Sequence, residues 1–357
     1  MCEGSEIPTG ALMGDRIVIE DQRVASQIYN KGYFGSILPG GGLSLNLIEA
    51  TYLASSGRIQ ILRSGKRLAL ERIVRAATRA HPQFEIKFLV YRDMKQRGYV
   101  VKDGVPPVDF RVLPRGGAPG KAPSKFWVVA VSERSVFDVE QLLSLTKDVA
   151  RVRKVLLLAV VDEEGDLTYY NVKEVRPQGR LREGKVSGIQ GLLMEDRVLV
   201  LDAAHAEALY SIGFYGKPLN GALQISLLES IYLAERGVIR IKDARNGRAV
   251  SLKRLLSHAA KIQPDFELRL KIYKDLRAKG ILVKTGFKYG SHFRAYEGDP
   301  DRTHARYLIH SVPEDYKSMW AEISRAVRLA HGVKKEILLA RPKEKGAEYV
   351  KLGRMRP

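Results

Sequence analysis

The chain has a single cysteine, Cys2, among 357 residues. No disulfide can close within it, and a reducing, cytoplasmic setting is expected. Long apolar runs are also missing. The longest, Val155 to Val161, sits between Lys154 and Asp162 and falls far short of the ~20 residues a membrane helix needs. It reads as a buried strand, and no membrane partner is expected. The opening MCEGSEIPTG has neither the charged start nor the apolar stretch of a secretion signal. Phosphate-binding P-loop, cysteine-based zinc and G-x-S-x-G patterns are absent or weak, so neither a metal nor a cofactor is expected. GGG at 40–42 reads as loop punctuation ahead of a helix starting near Ser44. Acidic residues are scarce beside basic ones: 40 Asp and Glu face 60 Lys and Arg, a net charge of +20. Such an excess favours polyanions, either nucleic acid or an acidic membrane surface, but says nothing about chemistry.

What is present is a repeat. RIVIEDQRVASQIYNKGYFG begins at Arg16 and RVLVLDAAHAEALYSIGFYG begins at Arg197, an offset of 181. LNLIEATYLASSGRIQI then pairs with ISLLESIYLAERGVIRI, setting Glu49 against Glu229 and Tyr52 against Tyr232. HPQFEIKFLVYRDMKQRGYVVK pairs with QPDFELRLKIYKDLRAKGILVK. The duplication spans nearly the whole chain. RPQGRLREGKVSGIQGLLME, from Arg176 to Glu195, is rich in glycine and charge and reads as the linker.

In the second copy, RVLVL and VIRIK read as strands. AAHAEALYSIG and ISLLESIYLAERG read as helices stopped by Gly213 and Gly237. SLKRLLSHAAKI and PDFELRLKIYKDLRAKG follow as helices, the latter with Pro264 at a favoured first position. Beyond Gly280, ILVKTGF, HFRAYEG, RYLIHSV, EILLARP and EYVKLG are β-rich, interrupted by the helix SMWAEISRAVRLAHG closed by Gly332. The expected class is α/β (α+β), with two tandem copies of a helix-rich front and a mixed-sheet back. The boundaries fall at 1–98 and 99–176 for the first copy, 177–195 for the linker, and 196–280 and 281–357 for the second.

The copies differ where chemistry would sit. Leu113 stands where the second copy has Tyr296, and Pro123 stands opposite His304. Lys154 and Lys335 match. After the last core strand the first copy carries Asp162, Glu163, Glu164 and Asp166 in DEEGD, where the second has RPKEKGAE. A turn acidic in one copy and basic in the other suggests a contact that separates two roles.

At these residues the sequence resembles the tRNA-splicing endonucleases. KTGFKYGSHFRAYEGDP, HARYLIH and VRLAHGVKK follow that family's signature in order and spacing. The whole-chain duplication resembles the archaeal form, an inactive copy fused to an active one, which works as a homodimer with two active sites. The resemblance implies a Tyr–His–Lys cleavage triad at Tyr296, His304 and Lys335. It implies a restriction-endonuclease-like sheet in each back part, and precursor tRNA carrying a bulge–helix–bulge as substrate. It also implies that the turn Asp162, Glu163, Glu164 and Asp166 docks into a basic cleft on the opposite protomer. Lys334 stands where the family often has arginine, a departure that leaves the triad intact. Arg325, Arg328 and His331 recur every three residues on one helix face. The resemblance raises Arg328 as a residue that stacks on a bulged base, with Arg354 in LGRMRP as its partner.

These groups suit RNA, which carries its own nucleophile in the 2′-hydroxyl. Cleavage then needs a base for the 2′ proton, an acid for the departing 5′ oxygen and a cation for the phosphate. Tyr296 fits as base or proton relay. His304 fits as acid because imidazole titrates near neutrality, and Lys335 as the cation. The products would be a 2′,3′-cyclic phosphate and a 5′-hydroxyl. Taken singly, each residue is more simply a packing tyrosine, a surface histidine or a solvated lysine; the erasure of two of them in the other copy favours function. Tyr289, His292 and His310 compete for the same roles. Two rivals remain. A metal-dependent nuclease would need converging carboxylates, for which Asp299 and Asp301 are the only nearby pair and read as turn residues. A non-catalytic RNA-binding partner would bind without cutting.

Overall fold

A computed structural model describes residues 7–357; Cys2 lies outside them. Each copy folds as a front subdomain packed against its half of one ten-stranded sheet. The front is not helices alone. The five-stranded sheet of the second copy contains Ile189–Leu193, Arg197–Val200, Lys217–Leu219, Ala222–Ser226 and Ile239–Asp243, and the first copy has a six-stranded counterpart. Arg197–Val200 and Ile239–Asp243 are the two strands legible in the sequence; the other three carry too few alternations to show a period. Two expectations shift for that reason. The linker ends earlier, because Ile189–Leu193 pairs in parallel with Ile239–Asp243. The helix expected near Ser44 begins at Leu47, since Leu43–Asn46 is a strand whose last residue caps it.

Both copies open that helix the same way. Asn46 accepts the Glu49 N–H and Glu49 accepts the Asn46 N–H, as Ser226 and Glu229 do in the second copy. The reciprocal cap satisfies two amides that would otherwise lack helix partners. The second oxygen of each glutamate accepts a further N–H, from Gly35 at 2.8 Å and Gly216 at 2.9 Å. These two carboxylates are therefore structural.

Helix ends are set less by glycine than the sequence suggests. Gly237 does hold a positive φ of 70°. Helix Ala203–Gly213, however, is capped by Phe214 at φ 52°, and a Cβ on Gly213 would meet the Arg277 guanidinium at 2.7 Å. Gly213 is required by close packing instead. Helix Trp320–Gly332 is closed by Lys334 at φ 54°, not by Gly332: the Lys334 N–H donates to His331 and the Lys335 N–H to Ala330. Those two bonds satisfy the last carbonyls and turn the chain into the next strand. Arg153 and Lys154 repeat the device in the first copy. Pro264 precedes the cap residue Asp265 rather than opening helix Phe266–Ala278.

The copies meet along a twofold. Phe137 pairs with Ser318 between strands Val136–Asp138 and Lys317–Met319. Strand Leu167–Val175 lies antiparallel to Ala347–Met355, Val172 opposite Leu352. Each pair joins equivalent positions of the repeat, so a pseudo-dyad runs through both. The second pairing fuses two five-stranded half-sheets into one. Helices Val139–Arg151 and Trp320–Gly332 cover one face of this centre, burying Phe137, Leu143, Leu158, Trp320 and Leu339 in a shared core.

Candidate active site

Three neighbouring strands place the expected triad. Phe293–Tyr296 runs antiparallel to Tyr307–Ser311, which runs parallel to Glu336–Pro342. Tyr296 ends the first strand, His304 lies three residues ahead of the second, and Lys335 directly precedes the third. All three residues therefore stand at one end of the sheet. The Arg306 N–H donates to Ala295 and the Glu336 N–H to Arg306, each at 3.0 Å, stitching the three segments together there. Two strand spacings of ~4.8 Å span the group. Tyr296 is buried, Lys335 half-buried and His304 exposed.

Tyr296 packs with Leu282 and Ala305. Burial pushes its phenol above the usual range; the nearby Arg294 guanidinium opposes that rise, while Tyr289 and Asp301 add to it. Tyr296 therefore keeps its proton at neutral pH. Arg294 lies 5.9 Å from the Tyr296 ring centroid. Sequence comparison between the copies passed it over because Arg111 occupies the same place in the first. Tyr289 also joins the group, its ring centroid 5.6 Å from the Lys335 ammonium.

The competing histidines stand away from the triad's end of the sheet: His292 precedes strand Phe293–Tyr296, which Tyr296 ends, though His292 and Tyr296 line one cleft. His292 and His310 lie with ring centroids 5.6 Å apart. His292 Nδ1 accepts the Ser311 N–H at 2.9 Å. Burial, then Arg269 and His310, pull His292 down to about 4, and burial also lowers His310. Both are neutral at pH 7 and poorly suited to donate a proton there. Asp299 and Asp301 are occupied by their turn: Asp299 accepts the Asp301 N–H at 2.8 Å, and Asp301 accepts the Tyr210 hydroxyl at 2.9 Å.

A cleft of about 680 Å³ opens between the front subdomain and the sheet edge of the second copy. Arg197, Lys217, Arg269, Lys284 and Arg294 line it with Asp196, Glu229 and Asp301, and Tyr296 stands in its wall. Lys284 donates to the Phe214 and Gly216 carbonyls. The corresponding cleft of the first copy is smaller, about 320 Å³, and holds Asp103 and Glu49 beside Arg16, Lys102 and Arg111.

Arg325 and Arg328 are exposed on helix Trp320–Gly332, as is His331. Arg325 is paired with Glu322 at 3.0 Å. Arg354 is exposed near the end of strand Ala347–Met355. The register of Ile337 opposite Leu352, carried outward, sets Arg354 across from Lys335. The acidic turn joins strands Val155–Val161 and Leu167–Val175. Within it Asp162 accepts the N–H groups of Glu164 and Asp166, and Glu163 pairs with Arg134. Glu163, Glu164 and Asp166 are exposed.

Comparison with known proteins agrees with this architecture. The catalytic C-terminal domain of the tRNA intron endonucleases matches residues 84–169 and again 266–349. The N-terminal domain of that family matches 9–74 and 189–256. A tRNA-splicing endonuclease from Methanococcoides burtonii is 40% identical over 97% of this chain and 99% of its own length. That from Methanosarcina mazei is 41% identical over 97% and 98%. The protein of the same name from Halobacterium salinarum is 32% identical over 93% and 94%. With both family domains matched twice along its length, the chain belongs to the tRNA intron endonuclease family.

Proposed function

We propose that this protein cuts precursor tRNA at intron boundaries presented in a bulge–helix–bulge, in the cytoplasm and without a metal ion. The observation that carries this reading is the gathering of Tyr296, His304 and Lys335 at one sheet end of the second copy only. The 2′-hydroxyl oxygen attacks the adjacent phosphorus as the bond to the 5′ oxygen breaks. Tyr296 relays the 2′ proton: its phenol oxygen accepts that proton as it passes its own to solvent water, and the neighbouring Arg294 stabilises any transient phenolate. His304, exposed to a bound RNA, protonates the leaving oxygen, and Lys335 stabilises the charge gathered on the phosphate. The products are a 2′,3′-cyclic phosphate and a 5′-hydroxyl.

Recognition rests on two copies of the chain. The acidic turn of one protomer fits the cleft of the other in charge, since basic side chains outnumber acidic ones there, and the first copy's cleft is smaller. Arg328 and Arg354 flank Lys335 from the helix and from the neighbouring strand, where their guanidinium planes can stack on a splayed base, with Arg325 beside them. A dimer with two such sites at fixed separation can measure the spacing between two bulges.

The test is cleavage of a bulged precursor tRNA in excess EDTA, followed by end-group analysis. Cyclic phosphate and 5′-hydroxyl ends are expected. Dependence on a divalent cation, 5′-phosphate ends, or binding without cutting would overturn the reading.

A further inference from the structure

The segment joining the copies passes directly behind Tyr296. The N–H groups of Gly179 and Leu181 donate to the carbonyls of Lys279 and Gly280 at 3.0 Å, and that of Arg180 to Glu297 at 3.3 Å. Glu297 is the residue after Tyr296. The approach is so close that a Cβ on Gly179 would stand 2.1 Å from the Gly280 carbonyl oxygen. Arg180 and Arg182 are exposed, whereas Leu181 and Glu183 turn inward. Leu181 packs, with Phe214, onto the cluster of Leu282, Tyr296 and Ala305.

Glu183 anchors the segment. It accepts Arg277 Nε at 2.7 Å and the Tyr232 hydroxyl at 3.3 Å, and lies 3.3 Å from Arg236. The Arg277 side chain is only 1% exposed and also donates to the Gly213 carbonyl at 3.1 Å. In the first copy Lys95 takes the place of Arg277 and donates to the Gly32 carbonyl. A buried arginine–glutamate pair adds little net stability over an apolar substitute, so holding a defined geometry is the better account of this one.

We infer that Gly179–Glu183 is a strap that positions Tyr296. Leu181 backs the tyrosine, and the Glu183–Arg277 pair holds Leu181 in place. Both are positioning residues, and the inference rests on Tyr296 being catalytic.

The test is single-turnover cleavage of a bulged precursor tRNA by the full-length protein. Leu181→Ala should slow the cleavage step at least tenfold with RNA affinity unchanged within twofold, and Leu181→Met should recover most of the rate. Glu183→Gln should slow cleavage in the same sense. In a Tyr296→Phe background Leu181→Ala should cost less than a further twofold, because the strap acts through the tyrosine hydroxyl. Equal losses in both backgrounds would mark a merely structural role and overturn the inference, as would a Leu181→Ala rate within twofold of the parent. If Tyr296→Phe costs a hundredfold and Leu181→Ala nothing, only the strap fails. If Tyr296→Phe is silent, the catalytic assignment fails and takes the strap with it.

Discussion

The Lys335 ammonium stands 5.6 Å from the centroid of the Tyr289 ring, and Tyr289 in turn lies close enough to Tyr296 to oppose its ionisation. A tyrosine that in the sequence competes with Tyr296 for the role of base thus becomes the surface against which the cation rests. The same contact gives a way to separate the two phenols. Tyr289→Phe keeps the ring beneath Lys335 and should leave cleavage within about threefold. Tyr289→Ala removes the ring and should cost roughly tenfold. Tyr296→Phe removes a proton-transfer group and should cost about 10²–10⁴ in single-turnover rate. Equal losses for Tyr289→Phe and Tyr296→Phe would reassign the base.

The acidic turn offers a test of assembly that spares the fold. Asp162 holds the turn by accepting two backbone N–H groups and should be left alone. Glu163→Lys with Glu164→Lys reverses two exposed side chains. Light scattering should report a shift from dimer toward monomer, with cleavage falling in parallel. An unchanged mass would remove the turn from the interface.

Phe137 lies on the pseudo-dyad, fully buried, edge-on to Trp320 with ring centroids 5.0 Å apart. Phe137→Ala should destabilise the protein by about 3–5 kcal/mol, the range for emptying a packed phenylalanine site. Denaturant unfolding measures this directly. A loss below about 1 kcal/mol would show that the seam between copies repacks.

Acid should weaken the second copy before the carboxylates titrate. The folded pKa of His292, about 4, lies below its ordinary value of 6.5, so between those values the unfolded chain binds the extra proton. The His292 contribution is complete above about pH 6.5, declines as pH falls toward 4, and is flat below. Urea midpoints at pH 7 and pH 5 should differ more for the parent than for His292→Gln, whose amide oxygen can still accept the Ser311 N–H and in which buried His310 still titrates. Parallel pH curves for the two proteins would contradict this.

Much was legible in the sequence because it was written twice. Helix Leu252–Ile262 and helix Trp320–Gly332 carry apolar periods long enough to detect, and the buried strand Val155–Val161 is a continuous apolar run. The expected triad comes from resemblance to the family's motif, and the difference between copies adds weight to it, since Leu113 and Pro123 stand where the second copy has Tyr296 and His304. Difference has a blind side. Arg294 went unnoticed because Arg111 matches it, and of the second copy's front sheet only RVLVL and VIRIK were legible, because the remaining strands of three to five residues leave no clear period.

The amino-acid order alone determined the duplication, the class of fold, the excess of positive charge and the copy that retains a titratable set. Periodicity and composition are properties of the chain, and folding is not needed to express them. Only the tertiary structure decided that the half-sheets join across a pseudo-dyad, that Tyr289 lies against Lys335 and that the linker lies against Tyr296. Those contacts join residues far apart in sequence, and they arise from register and close packing, which no local pattern records.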